Sequence, residues 1–163
     1  MTLFSRGRQI MDKRTRVLIL CTGNSARSQM AEGLLRHDGG TVSRLSALAP
    51  DRLRCAPEAV TVMREIGIDI SSHRPKSVDE FGGQTFDYLI TVCDNAKESC
   101  SVFPAETKRI HWSLEDPGAV RGSEEQRLAV FRRSRDALRE RLRRFLGQRR
   151  WRAGCRSERK CRC

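Results

Sequence analysis

The sequence predicts an α/β fold, a four-stranded parallel sheet flanked by helices on both faces, and three observations carry that expectation. Short β-branched and aliphatic runs alternate with segments whose apolar residues recur at helical spacing, the order that builds parallel sheets through right-handed crossovers. A length of 163 residues suits one domain with a core of its own. Cys21, Cys93 and the Asp116 region fall at or just beyond the ends of predicted strands, where ligands bind in such folds.

Residues 17–21, Val-Leu-Ile-Leu-Cys, read as a buried strand running into a Thr-Gly-Asn-Ser loop. A helix follows over 26–36, with Met30 and Leu34 on one face and Gly39 and Gly40 closing it. A weaker strand is expected over 42–47. The next helix carries Pro57 in its first turn, Ala59, Met63 and Ile66 along one face, and Gly67 at its stop. Residues 86–93, Phe-Asp-Tyr-Leu-Ile-Thr-Val-Cys, form the clearest strand, and 109–114 form another. Ser123 and Gln126 make a capping box, after which Leu128, Phe131, Leu138, Leu142 and Phe145 recur at spacings of three, seven and four. That pattern predicts a long amphipathic helix ending near Leu146.

The net charge of +12 suggests nucleic acid until it is divided along the chain. Residues 149–163 hold seven Arg or Lys against one Glu, and residues 1–16 hold five against one Asp, which leaves about +2 for residues 17–148. Basic ends around a near-neutral body read as solvated tails. No apolar run approaches the ~20 residues of a membrane span or forms a signal-peptide core, so a cytoplasmic protein is expected. Seven cysteines, an odd number without an export signal, argue for reactive thiols or a metal site over a disulfide framework.

The segment Cys21-Thr-Gly-Asn-Ser-Ala-Arg27-Ser28 sets a cysteine and an arginine six positions apart between a strand and a helix start. In a loop this short, the backbone N–H groups of Thr22, Gly23, Asn24, Ser25 and Ala26 turn inward, and the helix adds the positive end of its dipole. The result is a socket for a tetrahedral dianion, which the Arg27 fork can grip at two oxygens. The same positive field favours thiolate at Cys21, whose ordinary pKa of about 8.5 leaves little of it ionised at neutral pH. Ser28 is placed to donate a hydrogen bond to that thiolate, and Gly23 gives the turn its conformational freedom.

The stretch Val17-Leu-Ile-Leu-Cys-Thr-Gly-Asn-Ser-Ala-Arg-Ser-Gln-Met-Ala-Glu-Gly33 resembles the thioredoxin-coupled arsenate reductases, which share the three-layer fold of low-molecular-weight protein tyrosine phosphatases. The resemblance continues through Gly67-Ile-Asp-Ile-Ser71, Val92-Cys-Asp-Asn95 with Cys100, and His111-Trp-Ser-Leu-Glu-Asp-Pro117. It covers roughly residues 11–147, beginning at Met11-Asp-Lys-Arg. The expected organisation is therefore an extension over 1–10, a catalytic domain over 11–147, and a basic, cysteine-containing tail over 148–163, both ends disordered.

The resemblance implies that Cys21 attacks arsenate while Asp116 protonates the departing oxygen. It further implies that Cys93 releases arsenite by forming a disulfide with Cys21, that Cys100 then attacks Cys93, and that thioredoxin or a similar dithiol recycles the chain. A phosphatase needs only Cys21, Arg27 and Asp116, because water can hydrolyse a phosphocysteine, so hydrolysis of a protein phosphotyrosine or a small phosphate ester stays open as the second reading. Against it, low-molecular-weight phosphatases usually carry Pro where Gln29 stands and aromatic residues where this chain has Gly118 and Ala119. Tyr88, the only tyrosine, falls in a predicted core strand.

Some relatives hold potassium through residues matching Asn24, Glu32 and Ser46. Lys76 stands where an acidic partner is usual, its ammonium placed to replace the ion, so no metal and no cofactor is expected. His73 and His111 read as structural, and Trp112 as core. Cys55 stands where relatives usually have a polar lead into the helix. The tail thiols Cys155, Cys161 and Cys163 are given no role. A monomer without membrane or specific nucleic-acid partners is expected. A third reading, a nucleic-acid-associated redox sensor, makes residues 149–163 essential where the enzyme readings make them dispensable.

Overall fold

The computed structural model describes residues 15–21, 26–39, 55–74, 76, 78–94 and 103–157. Its strands are β1 (Val17–Leu20), β2 (Tyr88–Thr91) and β3 (Lys108–His111), and its helices α1 (Arg27–Gly39), α2 (Pro57–Arg64) and α3 (Glu124–Ser157). The described sheet is parallel and three-stranded in the order β1-β2-β3, with Val17 paired to Tyr88 and Tyr88 to Lys108. The strand expected over 42–47 lies outside the described residues, so three of the four expected strands are seen.

Every residue of β1 and three of four in β2 are buried. Successive strand side chains point to opposite faces, so burial of neighbours means that both faces are covered. Unlike them, β3 is largely exposed; Lys108 and Arg109 put charge on this edge, which discourages pairing with another chain.

Helix α1 fits closely on the segment after α2. A Cβ on Gly33 would lie 2.7 Å from Ile70 Cγ2 and 3.0 Å from Met63 Cε, so only glycine allows this approach. The α2 turn ends as expected at Gly67, with φ of +78°, where a side chain would be strained. Arg135 of α3, itself 8% exposed, donates to the Val62 carbonyl in the last turn of α2 at 2.7 Å. A buried cation here satisfies an orphan carbonyl and opposes the negative end of the helix dipole.

The capping box is formed: Gln126 N donates to Ser123 Oγ at 3.3 Å, and Ser123 N to Gln126 Oε1 at 2.9 Å. Where the apolar spacing predicts an end near Leu146, α3 continues to Ser157, into the stretch expected to be disordered. The sequence there has no proline, is rich in arginine, a good helix former, and its two glycines each cost only about 1 kcal/mol. Apolar spacing reports where a helix is buried, not where it stops. Among the described residues, no helix is long and apolar enough to cross a membrane.

Candidate active site

Cys21 follows β1 directly and is 1% exposed. Thr22, Gly23, Asn24 and Ser25, the inner part of the expected anion loop, lie outside the described residues, as does Cys100. The loop is entered at Cys21 and left at Ala26, Arg27 and Ser28, all buried.

Arg27 opens α1 and is 5% exposed. Its Nη1 donates to the carbonyls of Leu114 at 2.6 Å and Val92 at 3.3 Å, and its Nη2 lies 3.4 Å from Asp116 Oδ1. A guanidinium cannot be buried without acceptors, and these are supplied by the exits of two other strands. The arginine therefore ties β2 and the Asp116 loop to the start of α1.

Asp116 is half-exposed and caps the short 3₁₀ turn Pro117–Ala119, accepting from Gly118 N at 3.1 Å. Its neighbour Pro117 is buried. The Asp-Pro pair is thus a turn in its local structure, and the same turn holds the carboxylate against Arg27.

Cys93 is 7% exposed and directly follows Val92, whose N–H donates to the Leu20 carbonyl at 3.0 Å. Leu20 pairs with Thr91 in register. Cys21 and Cys93 consequently leave neighbouring parallel strands at the same end of the sheet. Both are thiols, as is Cys55.

A cavity of about 350 Å³ is lined by Cys21, Arg27, Asp116 and Cys55, and by the apolar side chains of Val120 and Phe131. The structure thus brings Cys21, Arg27 and Asp116 onto one space. Phe131 provides an aromatic surface from α3, a source the Asp-Pro loop sequence does not suggest. Tyr88 is elsewhere, its ring edge-on to Phe145 with centroids 5.0 Å apart. Trp112 packs against the core as expected, partly buried.

Sequence reasoning gave Cys55 no role, although its presence before the Pro57 helix was a signal. Its Sγ donates to the His73 carbonyl at 3.6 Å. Burial, aided by the nearby Glu32 charge, pushes its pKa up to about 11, so Cys55 faces the cavity as a neutral thiol. Sequence reasoning also passed over the ion pair between Glu58 in α2 and Arg127 in α3, 3.0 Å across, which lines the same cavity. No local motif links residues 69 positions apart.

Glu32 is buried in α1, accepting from Arg36, with Lys76 Nζ 4.0 Å from its Oε1. Two cations thus face this carboxylate. Asn24 and Ser46 lie outside the described residues. Among the described residues, no group of three His, Cys, Asp or Glu side chains is arranged to hold a metal ion.

The family described as low molecular weight phosphotyrosine protein phosphatase matches residues 16–153. Arsenate reductase of Bacillus licheniformis is 40% identical over 135 residues, covering 83% of this chain and 96% of that protein. A solved arsenate reductase in its phosphate-binding state superposes with a TM-score of 0.64 at 31% identity, over 82% of this chain and 98% of the other. The low molecular weight protein tyrosine phosphatase from T. tengcongensis superposes with a TM-score of 0.68 at 28% identity, over 82% of this chain and 99% of the other.

Proposed function

The chain belongs to the low molecular weight phosphotyrosine protein phosphatase family, and within it we propose that it reduces arsenate to arsenite through a thiol–disulfide relay. The observation that carries this reading is the pair of neighbouring strand exits: Cys21 follows β1, Cys93 follows β2 by one residue, and the Val92 to Leu20 hydrogen bond joins the two ends. Arg27, bonded to Val92, adds an anion-binding fork at the same point. The Bacillus licheniformis relative, an arsenate reductase, supports the substrate.

In the first step the Cys21 sulfur forms a bond to arsenic and one oxygen leaves as water, its proton delivered by Asp116. Arg27 and the loop amides hold the remaining oxygens. Cys93 then attacks the Cys21 sulfur. The S–As bond breaks, its electron pair stays with arsenic as arsenite, and a Cys21–Cys93 disulfide forms. Cys100 next attacks Cys93, freeing Cys21 and leaving a Cys93–Cys100 disulfide for thioredoxin or a similar dithiol to reduce. Each exchange needs a thiolate with access to one sulfur. Operation as a cytoplasmic monomer, with residues 11–147 as the catalytic unit, belongs to the same reading.

The test is arsenate-dependent NADPH consumption with thioredoxin and its reductase. Cys93→Ser and Cys100→Ser should both lose multiple turnover while retaining hydrolysis of an aryl phosphate. Loss of neither activity in either variant overturns the relay. Phosphomonoester hydrolysis through a Cys21 phosphocysteine is the second reading, favoured by the apolar Val120 and Phe131 surface beside Asp116. Aryl phosphate turnover comparable with arsenate reduction would reverse the order of the two.

A further inference from the structure

The imidazole of His111, the last residue of β3, holds both sides of Cys93. Its Nδ1 is 2.7 Å from Thr91 Oγ1, two residues before the cysteine, and its Nε2 is 2.9 Å from Asp94 Oδ1, one residue after it. The main chain reinforces the hold, because Trp112 N donates to the Thr91 carbonyl at 2.8 Å. Asp94 as acceptor requires the proton on Nε2 in the neutral ring, so Nδ1 accepts from the Thr91 hydroxyl, which is buried with its residue at 2% exposure. The three side chains thus form one directed chain of hydrogen bonds around Cys93.

We propose that His111 is a positioning residue for Cys93, fixing the thiol's approach to Cys21. This rests on the relay reading, in which Cys93 must reach a sulfur that is itself 1% exposed. A thiol held in place attacks faster than one on a loose strand end. None of the three clamp side chains is bonded to Arg27 or Asp116; Arg27 meets this segment only through the Val92 carbonyl and is held by the Leu114 carbonyl as well, so the first chemical step should survive loss of the imidazole.

The experiment uses the full reduced chain without a recycling system and follows the Cys21–Cys93 disulfide by quenched alkylation and peptide mass mapping. Losing hydrogen bonds of this kind should slow its arsenate-driven formation in His111→Ala by about threefold to tenfold. Hydrolysis of an aryl phosphate, in which water takes the place of the Cys93 thiol in the second step, should stay within twofold of the parent. Asp94→Asn, which keeps an acceptor for Nε2, should remain close to the parent, whereas Asp94→Ala should slow like His111→Ala. Disulfide formation unchanged in His111→Ala, or aryl phosphate hydrolysis falling in proportion, overturns the proposal.

A second oxidant separates this proposal from the arsenate reading. Hydrogen peroxide oxidises the Cys21 thiolate to a sulfenic acid, losing hydroxide, and the Cys93 thiol condenses with it to the same disulfide, releasing water. A parent chain that forms the disulfide with peroxide but not with arsenate sinks the arsenate reading. The comparison of His111→Ala with parent in the peroxide reaction then decides the clamp by the same criterion.

Discussion

The Nη2 of Arg27 lies 3.4 Å from Oδ1 of Asp116, joining a nearly buried cation to a half-exposed carboxylate. The proposed acid is thereby kept beside the proposed anion site by the residue that would bind the anion. The other nitrogen of the fork is held by the Leu114 and Val92 carbonyls, so the guanidinium is set before any ligand arrives.

Arg27→Lys should therefore cost more than its unchanged charge suggests. One ammonium cannot keep two carbonyls, a carboxylate and two oxyanion oxygens. Loss of a single anion-stabilising donor typically costs about 10²- to 10³-fold in rate, and a fall of at least that size in kcat/KM for arsenate is expected. Phosphate affinity measured by calorimetry should weaken in parallel; an unchanged affinity would count against Arg27 as an anion ligand.

Asp116→Asn should separate good from poor leaving groups. A general acid contributes about 10²- to 10⁴-fold where a proton is needed, and nitrophenolate needs less help than an alkoxide. Hydrolysis of an alkyl phosphate should fall towards the upper end of that range and 4-nitrophenyl phosphate much less. Equal losses with both substrates would remove Asp116 from proton transfer.

Most of this arrangement was legible as local pattern. The aliphatic run before Cys21 and the Cys-to-Arg spacing that follows it marked β1 and the start of α1 and pointed to the proposed anion site, because each depends on neighbours in sequence. Asp116 was not legible that way; by itself it is a turn residue, and the family resemblance supplied its role. His111 read as merely structural because its partners, Thr91 and Asp94, are 20 and 17 residues away. Glu58 and Arg127 escaped notice for the same reason. The end of α3 at Ser157 was not legible because its last turns carry no apolar stripe in the sequence.

Cys55 should be the least reactive of the cavity thiols. With its pKa near 11, it holds a few hundredfold less thiolate at neutral pH than an ordinary cysteine of pKa about 8.5. Iodoacetamide at pH 7.5, followed by mass mapping, should label Cys55 roughly a hundredfold more slowly than a cysteine in an unstructured peptide. Raising the pH towards 11 should close most of that gap. Labelling at the peptide rate would show that the thiol is neither buried nor raised as described.

Asp38 at the end of α1 ties that helix to α3, and its titration gives a stability prediction with a defined pH window. Burial alone would raise its pKa, but hydrogen bonds from Arg139 and His37 and the charges of Arg139 and Arg143 outweigh it and bring the value down to about 2 from 3.8. A carboxyl with a depressed folded pKa stabilises the native state above its unfolded pKa and loses that contribution as pH falls through the folded one. Unscreened, the shift is worth about 2 kcal/mol. Arg143 is 60% exposed, and solvent screening leaves about 1 kcal/mol. Urea denaturation should find Asp38→Asn less stable than the parent by about that amount at pH 7 and by about half of it at pH 3. The two should converge below pH 2, where the native carboxyl is protonated as well. A difference that stays constant from pH 7 to pH 2 would mean that Asp38 acts through packing and neutral hydrogen bonds, not through its charge.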